Sequence, residues 1–202
     1  MHELIKEKVD GGFSYAEYKT LVEKLLSEGK TTGPNQSEAN IDYTKLGFQR
    51  LKKWEKITKV NPQAAAQLKE LKGNYLWLVI IEAWCGDVGQ NLAAIHLLAE
   101  AAHIPLKLVL RDENDDLMEH FLTNGGKSIP KLIVVDADTN LPVGTWGPRP
   151  ATAQKIVLDG KAKDIDIHDI HLNVHSWYAK NKHEELQNEM LELMKSIDSK
   201  TL

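Results

Sequence analysis

Tyr75-Leu76-Trp77-Leu78-Val79-Ile80-Ile81-Glu82-Ala83-Trp84-Cys85-Gly86-Asp87-Val88 passes from seven consecutive apolar residues into a short polar turn that holds the chain's one cysteine. An apolar run of that length reads as a strand buried on both faces of a sheet. Beyond the turn, Leu92, Ile95, Leu98 and Ala99 recur at helical spacing, so residues 88–102 read as a helix. Cys85 therefore stands where a strand hands over to a helix. A thiol at a helix N-terminus lies at the positive end of the peptide dipoles, which favours the nucleophilic thiolate. The expectation is a Cys85 that is partly ionised at neutral pH.

The residues downstream complete a sheet. Residues 106–110 read as a second strand, and 115–122 as a helix closed by Asn124-Gly125-Gly126. A third strand covers 131–135, a turn falls at Asp138-Thr139-Asn140, and a fourth strand covers 143–146. This order predicts an α/β domain whose mixed sheet begins with a parallel βαβ unit and ends in an antiparallel hairpin. Residues 151–158 supply a closing helix. Residues 169–197 read as one long terminal helix, with Leu186, Met190, Leu193 and Ile197 forming a stripe. That stripe either docks on the domain or pairs with a second copy, which would make a homodimer.

Upstream, residues 14–27 have Ser14 followed by Glu17, a capping-box pattern, and an apolar stripe of Tyr18, Leu21, Val22 and Leu25. The segment 31–37, rich in turn formers, reads as a loop. A helix over 42–58 is expected to turn Leu46, Leu51, Trp54 and Ile57 to the core. Lys45, Arg50, Lys52, Lys53 and Lys56 are then expected on a solvated face, which could also attract an anionic partner. Pro62 opens a short helix over 63–71. The expected organisation is an N-terminal helical extension (1–73) packed on the core, a central domain (74–160) and a C-terminal helical extension (161–202).

Composition narrows the function classes. A net charge of −4 lacks the basic excess of a nucleic-acid binder. The longest apolar run is far short of the roughly 20 residues a bilayer span needs, so no membrane is expected. The opening residues mix charge throughout, unlike a signal peptide. A single cysteine excludes an intrachain disulfide and suits a reducing cytoplasm. No cofactor is called for.

Two features resemble thioredoxins: Trp84-Cys85-Gly86 at a strand-to-helix junction, and Ser128-Ile129-Pro130 directly before the third strand. The resemblance covers about residues 76–158 and implies a thioredoxin-like fold, with Pro130 as a cis-proline beside the active cysteine. The whole chain also resembles a group of bacterial thioredoxin-family proteins of uncertain role. The segments that carry this are 31–38, 82–87, 110–114, 123–130 and Trp146-Gly147-Pro148-Arg149-Pro150. Where thioredoxins have Trp-Cys-Gly-Pro-Cys, this chain has Asp87 and Val88, so the motif cannot close a disulfide.

What remains is a monothiol chemistry, with Cys85 as nucleophile and Asp87 and Pro130 beside it. The partner is then a protein bearing a thiol or disulfide, or a low-molecular-weight thiol. The alternative is a binding module that keeps the groove around Pro130 without turnover. Trp84, Gly86 and Ile129 belong to the same site. Arg111 could hold the carboxylate of a small thiol or pair with a neighbouring acid. Trp146 offers a ring face for stacking beside Arg149. Val79 occupies the place of the thioredoxins' buried acid, and Glu82 either substitutes for it or points to the surface. His168, His171 and His175 share one side of a helix near Asp164, yet packing outweighs metal ligation there, and no metal site is expected.

Overall fold

The computed structural model describes residues 1–200. Four helices precede the sheet: α1 (His2–Gly11), α2 (Tyr15–Ser27), α3 (Glu38–Ile57) and α4 (Pro62–Lys69). The sheet and its connections follow as β1 (Tyr75–Ile81), α5 (Gly86–Ala102), β2 (Leu106–Leu110), α6 (Asp115–Met118), β3 (Lys131–Asp136) and β4 (Leu141–Trp146). The chain ends in α7 (Ala151–Ala162), α8 (Ile167–Asn181) and α9 (Glu184–Asp198).

Strand order is β2-β1-β3-β4, with β1 parallel to β2 and antiparallel to β3, and β4 antiparallel to β3. Every residue of β1 is buried, as its unbroken apolar run requires. The edge of β2 is met by Phe13, which exchanges backbone hydrogen bonds of 2.8 and 2.9 Å with Leu108. No helix among the described residues is long and apolar enough to cross a membrane.

Local signals account for several helix starts. Ser14 Oγ accepts from Glu17 N at 3.2 Å while Glu17 Oε2 accepts from Ser14 N at 2.7 Å, which closes the capping box. Asn61 caps α4 ahead of Pro62. Other expectations are corrected. The first helix, α1, carries too few apolar residues to be seen by periodicity, yet Ile5 is fully buried. In α3, Leu51 and Trp54 face the core with Phe48, but Leu46 and Ile57 are exposed. Gly47 sets that face, because it is the residue laid against α5. The helix expected over 115–122 ends at Met118, and the closing helix runs on to Ala162.

α3 crosses α5 with backbone laid against backbone. A Cβ on Gly89 would stand 2.8 Å from both Cα and O of Gly47, so two glycines let the backbones touch.

The terminal segment is two helices, not one. The break lies at Lys182 and His183, with φ of 52° and 67°. His183 is fully buried. Its Nε2 donates to Gln90 O at 2.7 Å, its Nδ1 lies 3.1 Å from Thr58 Oγ1, and its ring meets Trp54 edge-on at 4.4 Å. Pulling this ring inward ends α8 and lets α9 pack against β4 and α5. The stripe of Leu186, Met190 and Ile197 is consequently buried inside the chain, with Leu193 partly so, and packs against the domain.

Two outcomes test this packing. Gly89→Ala should lower stability by roughly 1–3 kcal/mol despite alanine's better helix propensity, because the added methyl meets backbone. Urea unfolding checks it, with Gly11→Ala, which meets open space, as the neutral control. Burial pushes the His183 imidazole down to about 4. The unfolded chain therefore takes up a proton near pH 6.5 that the folded one refuses, and stability falls as pH drops from there toward 4. The deficit from this group is about 2 kcal/mol at about pH 5, and it should vanish in His183→Gln.

Candidate functional site

Cys85 is the N-cap of α5, with φ −79° and ψ 119°, and its carbonyl accepts from Gly89 N at 3.1 Å. The antiparallel pairing of β3 with β1 sets Ile80 opposite Lys131, which brings the residues just before β3 to the thiol. Cys85 Sγ donates to Ile129 O at 3.4 Å, and the Ile129–Pro130 peptide is cis. The cysteine is part-exposed, Gly86 is exposed, and Ile129 and Pro130 are buried. Val88 points into the core and is 1% exposed.

The expected lowering of the thiol is overturned. Burial pushes the Cys85 thiol up to about 12, and the Asp87 carboxylate adds to the rise. The N–H groups of Val88 and Asp87 and the charge of Arg149 work the other way and lose. The helix terminus does pull on this sulfur, but desolvation outweighs it.

Asp87 is gripped by Arg149 through two contacts, Nε to Oδ1 at 2.8 Å and Nη2 to Oδ2 at 2.5 Å. Burial raises the Asp87 carboxyl, with Arg149, His171 and Arg50 opposing. Arg149 also donates to Gln154 Oε1 at 2.9 Å, which locks the turn into α7 to the start of α5.

Trp84 lies on the opposite side. The Arg111 guanidinium sits 4.7 Å over its ring and pairs with Asp112 at 2.7 Å, so the carboxylate this arginine holds is its own neighbour's. Gly33, at φ 78°, closes the same corner, where a Cβ would stand 2.5 Å from Asp112 Oδ2 and 3.5 Å from Trp84 Nε1. Glu82 is fully buried rather than at the surface. Its carboxylate accepts from Thr32 Oγ1 and from Asp112 N (2.9 Å), and burial raises it. It ties the 31–37 loop and the Arg111 turn to the end of β1. Trp146 is not a stacking surface: it is 8% exposed, and Nε1 donates to Glu189 Oε2 at 2.6 Å.

Periodicity put Arg50 on a solvated face. It is half-buried, with Nη1 3.6 Å from where a Gly86 Cβ would stand and Nη2 3.2 Å from His175 Nε2. The signal was its place three residues after Gly47, the point at which α3 touches the site. His175 also meets Gln90 Nε2 at 2.7 Å and is pushed down to about 4 by burial and by Arg50. His168, His171 and His175 all lie on α8, but no group of three or more potential ligands gathers for a metal among the described residues.

Residues 33–166 match the thioredoxin family model. The chain belongs to the thioredoxin family. Among solved structures, it is similar to a protein of unknown function from Pseudomonas aeruginosa, at 18% identity and a TM-score of 0.54, over 91% of this chain and 98% of that one. An HIV epitope-scaffold is similar at 19% identity and a TM-score of 0.54, over 91% of this chain and 99% of that one. At such identities the likeness speaks to the fold alone. No curated protein matches. This member of the thioredoxin family thus has a thioredoxin-like α/β fold with helical additions at both ends and a single cysteine at the strand–helix junction.

Asp87→Asn removes the like charge beside the sulfur, so the pH profile of Cys85 alkylation should move to lower pH. A role for Asp87 confined to holding Arg149 would leave the profile in place.

Proposed function

We propose that this chain exchanges thiols with disulfides through Cys85 alone, by a monothiol route. The observation that carries the reading is the Cys85 sulfur, 3.4 Å from Ile129 O beside Pro130, at the open start of α5. In the first step the Cys85 thiolate attacks a disulfide R–S–S–R′. A Cys85–S–S–R bond forms, the original S–S bond breaks, and R′S⁻ leaves to take up a proton. In the second step another thiolate, R″S⁻, attacks the R-side sulfur of the mixed disulfide; the R–S–S–R″ bond forms, the bond to Cys85 breaks, and the Cys85 thiolate leaves and regains its proton. Val88 cannot resolve the first adduct, so the second thiol is a low-molecular-weight thiol or a partner protein. This reading gives Asp87, whose carboxyl burial raises and whose charge acts on the thiol, the role of taking the Cys85 proton once its hold on Arg149 loosens. A reducing cytoplasm supplies the thiols this cycle needs.

A second reading, a binding module without turnover, is favoured by the height of the thiol, which leaves little thiolate at neutral pH.

Mass spectrometry after exposure to a small disulfide should show an adduct that Cys85→Ser lacks. The alkylation rate should climb about tenfold per pH unit between about pH 7 and about pH 9 without a plateau, because the thiol titrates above that range. Absence of any adduct over that range would remove the exchange reading. Partner capture undiminished in Cys85→Ser would support the module.

A further inference from the structure

Of the chain's 25 lysines and arginines only three are arginine, at positions 50, 111 and 149. All three converge on Trp84–Asp87, one over the indole, one clamped on Asp87, and one over Gly86. Lysine serves the remaining surface. Arginine differs from lysine in presenting a planar fork of N–H groups that fits a carboxylate in bidentate fashion.

Two of the three are already answered. Arg111 has Asp112, and Arg149 has Asp87. Arg50 has no carboxylate in ion-pair contact among the described residues, and its polar contact is with His175. That imidazole, pushed down to about 4, is neutral and brings no counter-charge. Asp87 is the acid nearest in effect, but both of its oxygens are held by Arg149. A half-buried guanidinium without a counter-ion, beside a nucleophile, is a cost to the fold unless something arrives to answer it.

The surroundings describe what could arrive. Tyr43, Leu46, Gly47 and Arg50 fall at i, i+3, i+4 and i+7 on α3, so they share one side of that helix. Gly47 lays this side against the turn, since a Cβ there would be 3.2 Å from Ala83 O and 3.9 Å from Cys85 O. Leu46 and Tyr43 are 48% and 58% exposed. This side of α3 thus carries two exposed apolar side chains and, one turn on from Leu46, a guanidinium with no carboxylate partner among the described residues, which reaches the position of Gly86 next to Cys85.

We infer that Arg50 is the specificity-determining residue of the Cys85 site, and that it selects a low-molecular-weight thiol or disulfide carrying a carboxylate close to its sulfur. This deepens the exchange reading and rests on it. Arg50 changes which sulfur compound is received, and the bonds made and broken stay those given above.

The test compares Cys85 alkylation by iodoacetate, which carries a carboxylate, with that by its neutral counterpart iodoacetamide. Both consume the same thiolate, so the ratio of the two rates cancels any change in the thiol's ionisation. Arg50→Gln should lower the ratio about tenfold, the scale of one charge-assisted hydrogen bond. Arg50→Lys should restore part of it. Lys53→Gln, which loses the same charge from the exposed side of the same helix, should leave it unchanged. Raising salt from about 0.05 M to about 0.5 M should narrow the wild-type preference. An equal ratio in wild type and Arg50→Gln overturns the inference while leaving the exchange reading intact. Failure of both reagents to label wild-type Cys85 at about pH 9 removes the exchange reading itself, and the inference with it.

Discussion

The contact between Gly47 of α3 and Gly89 of α5 is the constraint on which the site rests. Two helices that meet at side chains stand 8–10 Å apart, whereas two that meet at glycines come closer. Here the closeness puts α3 directly over the first turn of the cysteine's helix. Arg50, one turn further along, then reaches Gly86, and Trp54, a turn beyond that, reaches Gln90 with its indole N–H at 2.7 Å. Gln90 and its backbone carbonyl in turn hold His175 and His183, so the placement of α8 and α9 also descends from this crossing.

Around Cys85 the balance of charge is decided by burial. A helix N-terminus is worth about 0.3–2 kcal/mol to a nearby anion. Raising a thiol from about 9 to about 12 corresponds to roughly 4 kcal/mol against the thiolate. The second effect is the larger, and Asp87 adds to it. Arg149 is already engaged in neutralising Asp87 and has little left for the sulfur. The resting site is therefore a protonated thiol hydrogen-bonded to Ile129 O, flanked by one satisfied ion pair and one unsatisfied cation.

The helical additions do more than cover the sheet. The N-terminal one contributes Arg50 and Thr32 to the site, while the C-terminal one contributes His171 to the charge environment of Asp87 and a hydrogen-bond contact from His175 to Arg50. Loops at 31–37 and 111–114 are joined beneath Trp84 by Glu82, whose carboxylate is satisfied on both oxygens. That buried carboxyl therefore works as a structural tie, and its hydrogen bonds run to those two loops.

The succession of strands and helices, the capping box of α2, the start of α4 at Pro62 and the place of Cys85 between β1 and α5 were legible in the sequence, because each depends on residues close together in the chain or on one apolar run. The nearness of Pro130 to Cys85 was expected only from the resemblance to thioredoxins. The break at His183 was not legible. No glycine or proline marks it, and only a pocket built from Gln90, Thr58 and Trp54, each distant in sequence, makes a left-handed turn there worthwhile. The same holds for the thiol: its place at a helix start is a local fact, but its depth is set by how β3, Asp87 and the surrounding helices close around it. Periodicity assigns Arg50 to water because the pattern of α3 alone cannot say which helix lies against which face. Short-range order follows from backbone geometry and local hydrogen bonds, so the chain itself determines it. Burial and charge balance depend on surfaces brought together from far apart, so only the folded molecule decides them.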